Sequence, residues 1–252
     1  MNLRLTLCAV LLVTGCATTP LPQTSPNTSP SSTPSQSETN TTKPLTTVST
    51  ASAKPPKAES TARRKLSELT VTNRPKPVSD YSRREFGSSW RDTDGNGCNQ
   101  RDDVLLRDAV AGSTKVQRQG ACDHDVLAGT WIDPYNGQTL SFDDLKNLSQ
   151  AQGIQIDHVV PLAEAWSSGA AAWPRERRIQ FANDLSVLRA AGGRTNASKG
   201  ASDPAAWRPK KAYQCGYAMK WIEIKHRWEL TVDRSEVAAL ESMLDTCITK
   251  AP

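Results

Sequence analysis

The chain has no N-terminal hydrophobic run long enough to span a bilayer. Its apolar stretch from Leu5 to Val13 falls far short of the roughly 20 residues a spanning helix needs. What stands there is MNLRLTLCAVLLVTGC: a positive Arg4, a short apolar core, a small residue and Cys16. That order reads as a lipoprotein export signal over residues 1–15, removed to leave Cys16 carrying lipid on the outer face of a bacterial membrane. Aromatic residues are missing from Ala17 through Val78, where Thr, Ser, Pro, Lys and Gln dominate. Without large apolar groups a segment cannot offset its ordering entropy, so residues 16–78 are expected to be a disordered tether.

CxxC spacing is also missing, which argues against a four-thiolate zinc site. With Cys8 lost in the signal and Cys16 lipidated, Cys98, Cys122, Cys215 and Cys247 remain. An even number in an exported domain implies disulfides, with three connectivities open. Cys98–Cys122 with Cys215–Cys247 is the expected pairing, the second bridge clipping two neighbouring helices. Nor does the folded part carry a positive excess. From Asp80 onward 22 Lys and Arg face 23 Asp and Glu, so the formal +5 of the chain sits upstream and net charge says little about a substrate.

All seven tryptophans lie between Trp90 and Trp228, and residues 79–252 have the size of one domain. Helical spacing appears in Asp103–Val110, and two β-prone pieces flank Asn136-Gly137, a strong hairpin signal. Ser141 with Asp144 resembles a helix start running to about Gln150 and ended by Gly153. IQIDHVV reads as a strand. Helical pieces follow on both sides of Pro174, then a helix from about Ala212 to Trp228, then a last helix opened by the capping pair Asp233 and Glu236. The expected class is α+β, a helix-rich single domain with a small sheet.

Chemistry concentrates where the strand stops on adjacent Asp157 and His158. Downstream lie Asn183, a Gly-rich loop at Gly192-Gly193, and then Asn196 and Lys199 in NASKG. Asp157 offers an anionic oxygen and Asn196 a neutral one, a set suited to Mg²⁺ or Mn²⁺. His158 can take a proton from water near neutral pH. Singly, each residue has a plainer role: a buried Asp-His pair, a helix cap, a helix end. Their order on one strand-loop-helix segment favours metal-assisted phosphodiester hydrolysis.

The pattern DHVVPL, then ND, then N..KG resembles the ββα-metal (HNH, His-Me finger) nucleases in the form with a final asparagine. WRDTDGNGCNQRDDVLLRD, GTWIDPYNG and the C-terminal region resemble more narrowly the exported HNH endonucleases related to the C-terminal part of the GmrSD restriction enzyme. The resemblance covers about Tyr81 to Cys247. It implies a ββα-metal core in which Asp157 and Asn196 bind one Mg²⁺ or Mn²⁺ and His158 is the general base. Asn183 aims His158, Lys199 meets a substrate phosphate, and cleavage leaves 5'-phosphate ends. The expected activity is a membrane-tethered, extracytoplasmic endonuclease on DNA or RNA, monomeric and of low sequence specificity. The competing reading is a non-catalytic lipoprotein that binds nucleic acid or cell wall.

Two further patterns stand apart. In DTDGNGCNQRDD, Asp92, Asp94, Asn96, Gly97 and Asp103 fall at the first, third, fifth, sixth and twelfth places of a calcium loop. Cys98 inside it would constrain such a loop. Substrate contact through local cations points to Arg101, to Arg175, Arg177 and Arg178 beside Trp173, and to Arg208, Lys210 and Lys211 beside Trp207. Such runs also serve as solvated helix faces. His124 and His226 are expected to be structural or surface residues.

Overall fold

The computed structural model describes residues 57–73 and 80–247. The export signal, Cys16 and most of the expected tether lie outside them. Within the tether, however, Lys57–Glu68 forms helix α1, followed by the short strand β1, Val71–Thr72. This corrects the expectation of disorder for that stretch. Ala62, Leu66 and Leu69 are buried in the main core, so a few small apolar residues at helical spacing suffice where a ready surface receives them.

A 3-10 turn at Arg83–Phe86 leads to α2, Gln100–Asp108, whose N-terminus is capped by the Asn99 side chain accepting from the Arg101 and Asp102 amides. Strands β2 (Lys115–Gln119), β3 (Cys122–Ile132) and β4 (Thr139–Phe142) form an antiparallel sheet in that order. The β3–β4 connection holds Asn136-Gly137, and Gly137 has φ +75°; a Cβ there would collide with the Tyr213 ring. Ser141 belongs to β4, opposite Thr130, rather than to a helix start. The following helix, α3 (Leu148–Gly153), is capped by Asn147 instead.

Strand β5 (Ile154–His158) begins immediately, and α4 (Leu162–Ser167) and α5 (Arg175–Asn183, capped at Pro174) separate it from its partner β6 (Leu188–Gly192). The two pair antiparallel, with Asp157 opposite Arg189 and His158 opposite Leu188. Helix α6 (Gly193–Lys199) starts without a loop. The expected Gly-rich loop is thus a strand-to-helix junction. Its glycines are needed for close approach, since a Cβ on Gly193 would lie 2.2 Å from the Gln152 carbonyl oxygen and one on Gly192 2.6 Å from Asp133 Oδ2.

Helix α7 (Lys211–Arg227), strand β7 (Val232–Asp233, parallel to β1) and α8 (Arg234–Leu244) complete the domain, with Asp233 accepting from the Glu236 amide at the start of α8. Disulfides join Cys98 to Cys122 and Cys215 to Cys247. Two cores result. One gathers Trp221, Ile222, Leu240, Met243, Trp166 and Phe181; the other gathers Val104, Leu105, Trp131, Ile154, Ile156, Leu188 and Ala190. Each such large side chain, fully buried, contributes about 1.5–3 kcal/mol. Because strand side chains alternate, β5 turns Ile154 and Ile156 to the second core and Gln155 and Asp157 the other way. Where the sequence predicts one small sheet, the described residues form three separate sheets in a mixed α/β domain. No described helix is long and apolar enough to cross a membrane.

Candidate active site at Asp157 and His158

Adjacent on one strand, Asp157 and His158 face opposite sides. Asp157 is buried, and its Oδ1 accepts from Lys199 Nζ at 2.9 Å while Oδ2 accepts from the Tyr135 hydroxyl. Lys199 is fully enclosed and also donates to the His158 carbonyl at 2.9 Å, tying the end of α6 to the end of β5. Burial pushes the Asp157 carboxyl above the usual carboxylate range and Lys199 below the usual ammonium range, and their mutual attraction opposes both. Tyr135, in the β3–β4 turn, gave no signal in the sequence beyond its place next to Asn136-Gly137.

His158 lies on the other side. Its Nε2 donates to the Ala182 carbonyl at 2.9 Å, and Trp90 stacks on the ring with centroids 6.3 Å apart and planes 18° apart. Burial lowers its pKa to about 3 against the pull of that carbonyl, and the Arg83 and Lys199 charges add to the lowering. The imidazole is therefore neutral at physiological pH, with the proton on Nε2 and the lone pair on Nδ1. Nδ1 has no hydrogen-bond partner among the described residues. A narrow crevice lined by Arg83, Gly87, Ser88, Trp90 and Leu162 reaches the ring.

Asn183 makes no hydrogen bond to His158. Its side chain donates to the Ile179 carbonyl and accepts from the Arg91 amide, each at 2.9 Å, and so pins the segment that carries Trp90. The residue before it, Ala182, holds the imidazole through its backbone. Trp90 itself has φ +60°, a left-handed conformation unusual for a bulky side chain.

The expected metal ligands, Asp157 and Asn196, both sit at the β5–α6 contact, yet each has other company. Asn196 Nδ2 donates to Gln155 Oε1 at 2.8 Å, and each Asp157 oxygen accepts one hydrogen bond. As arranged, a divalent cation at this contact would have to share the buried Asp157 carboxylate with an ammonium and a hydroxyl, while the Asn196 Oδ1 accepts no hydrogen bond from a described residue. Lys199 does not reach outward to a substrate phosphate. The one described cluster with metal-ligand side chains, Cys98, Cys122 and His124, is a disulfide with its neighbour.

The cationic candidates divide. Arg178 is buried, bonded to Glu85 at 3.0 Å and to the Glu85 and Trp173 carbonyls, and Arg101 turns inward to the carbonyls of Ala151 and Ile154. Both are committed to the fold. Arg177 lies over Trp173 and pairs with Glu229. Arg175, Arg208, Lys210 and Lys211 are exposed. On the Asp157 side, a cleft of about 580 Å³ is lined by Tyr135, Arg189, Tyr213, Tyr217, Lys220 and Glu223.

Fold and bridges define a disulfide-stabilised mixed α/β domain of the kind that fits an oxidising, extracellular location. The family of GmrSD restriction endonucleases, C-terminal domain, matches residues 100–242, a span that holds Asp157, His158, Asn183, Asn196 and Lys199. The chain belongs to that family, a nuclease-related one. It is also 42% identical over 192 residues, 75% of this chain and 85% of the relative, to an uncharacterized secreted protein of Arthroderma benhamiae. No solved structure matches the chain.

Proposed function

We propose that the protein is an exported endonuclease that hydrolyses phosphodiester bonds of DNA or RNA, with His158 as general base. The observation that carries this reading is the state of His158: neutral, locked in one tautomer by the Ala182 carbonyl, with Nδ1 free to take a proton from water. A base with a pKa of about 3 is weak by itself. A phosphodiester brought against it supplies the negative charge that raises it. Arg83 is exposed, lines the same crevice and has no ion-pair partner among the described residues. It is the cation placed to meet the phosphate.

His158, Asn183 and Trp90 act as one assembly on this reading: base, fastener and cover. Asp157, Lys199 and Tyr135 set the position of the strand end. The exposed Arg175, Lys210 and Lys211 supply backbone contacts that carry little sequence preference. A dependence on Mg²⁺ or Mn²⁺ would have Asp157 and Asn196 hold the ion through their remaining oxygen lone pairs, beside the Lys199 ammonium and the Tyr135 hydroxyl. The N-terminal signal, Cys16 and the following polar stretch would tether the domain to the outer face of the cell membrane.

The test is incubation of the disulfide-bonded chain with plasmid DNA in Mg²⁺, in Mn²⁺ and in EDTA, beside His158→Ala. Cleavage reduced about 10²–10⁴-fold in the variant is the expected outcome. DNA bound but uncut in every condition, with RNA and single strands also intact, would establish the binding-module reading instead.

A further inference from the structure

The cleft of about 580 Å³ on the Asp157 side takes no part in the proton transfer at His158, yet its size is that of a small-ligand site. Tyr213, on the first turn of α7, forms one wall. The ring leans on the β3–β4 turn so closely that a Cβ at residue 137 would lie 1.8 Å from the Tyr213 hydroxyl oxygen. The Lys210 amide donates to the Tyr135 carbonyl at 2.9 Å and fixes the start of the helix against the same turn. Tyr135 and Tyr217 pack on each other, edge to face at 5.6 Å, whereas Tyr213 is half-buried and meets no aromatic ring among the described residues. It is the aromatic surface of the cleft still open to a ligand.

The floor carries a second sign. Gly216 lies in the interior of α7, one turn after Ala212 and one turn before Lys220, and all three line the cleft. Glycine weakens a helix relative to alanine, and a close neighbour is the usual reason for it there. Here a Cβ would meet nothing within 4 Å. What the missing side chain preserves is the depth of the cleft itself.

Charge narrows the occupant. Glu223 is paired with Lys220 at 3.1 Å. Among the described residues Arg189 reaches only Asp108, at 3.5 Å, and that carboxylate is already held by Arg107 at 2.7 Å. Arg189 is thus the cation of the cleft with charge to spare, and it stands opposite Asp157 in the β5–β6 register. A flat apolar body joined to an anion satisfies both ends, the ring stacking on Tyr213 and the phosphate meeting the guanidinium.

We infer that the cleft seats one unpaired nucleobase of the substrate strand, stacked on Tyr213 above Gly216, with its phosphate at Arg189. This rests on the phosphodiesterase reading for the kind of polymer and adds how the polymer is held. A base inside a duplex stack cannot enter, so the strand is single at this point.

The probes are a fluorescein-labelled oligothymidylate and an abasic oligonucleotide of the same length, titrated by anisotropy into the full disulfide-bonded chain, native and His158→Ala. The thymidine oligomer should bind about tenfold or more tightly than the abasic one, and Tyr213→Ala should remove that advantage. Gly216→Leu should remove it too while keeping or raising Tm, because a side chain added in open space on a helix strains nothing. Arg189→Gln should weaken both oligomers alike. No binding, equal binding of the two oligomers, or a thymidine advantage that survives both cleft substitutions would overturn the assignment. So would a chitooligosaccharide whose binding is lost in the same variants, which would give the cleft to wall glycan. Base-selective binding with plasmid DNA left intact would keep the cleft and refute the cleavage reading; cut plasmid with equal binding of the two oligomers would do the reverse.

Discussion

Two lysines among the described residues are fully enclosed, and they are held differently. Lys225, on α7, donates to Glu164 at 2.8 Å and to the Thr231 carbonyl at 2.9 Å, and pairs with Glu236 at 2.8 Å. Two carboxylates outweigh the desolvation of its ammonium, and its pKa is raised. Lys199, on α6, has one carboxylate, Asp157, and one carbonyl, and there burial wins and the pKa falls. The first is a brace joining α4, α7 and α8. The second holds its charge with less in reserve, next to the strand end that bears His158. One extra carboxylate separates an ammonium whose charge is favoured by its surroundings from one whose charge is disfavoured.

The comparison breaks most sharply at the brace. Lys225→Met leaves Glu164 and Glu236 facing each other in the core, and urea unfolding should show a loss of about 3–5 kcal/mol. Lys199→Met should cost less, about 1–3 kcal/mol, because Asp157 keeps the Tyr135 hydroxyl and has its pKa raised already, so it can take a proton. Adding Asp157→Asn to that variant should recover part of the loss; an equal loss in the two lysine variants would erase the distinction. A smaller effect sharpens the contrast from the other face of β5. His158 has its folded pKa at about 3 against about 6.5 unfolded, so between these values only the unfolded chain binds the proton. Its contribution is complete above pH 6.5 and declines by about 1.4 kcal/mol per unit as pH falls toward 3. Unfolding curves at pH 7 and 5.5 should differ less in His158→Phe than in the native chain.

Much of the frame was legible because it rests on local signals. Asn136-Gly137 marks the β3–β4 connection, and Asp233 with Glu236 marks the start of α8, since turn and cap chemistry act within a few residues. Helix α1 was hidden because composition averages over the polar majority, while its burial rests on Ala62 and Leu66 meeting distant helices. Strand β6 was hidden because LRAAG is short and ends in the glycines that close approach to Gln152 and Asp133 demands. At the site, the residue types were readable but their partners were not. Lys199 reaches Asp157 across 42 positions and Tyr135 across 22, and a sequence pattern carries no register for such pairs. Trp90 likewise reaches His158 from a segment with no periodicity of its own.

The left-handed backbone at Trp90 bears on how the base is reached. An L-residue in that region stands about 1–2 kcal/mol above its relaxed conformation. The Arg91 amide bond to Asn183 and the ring's seat on His158 hold it there. The backbone thus carries a fixed cost for placing one indole against one imidazole, and the Arg91 amide bond to Asn183, rather than the ring's own preference, is what keeps it there.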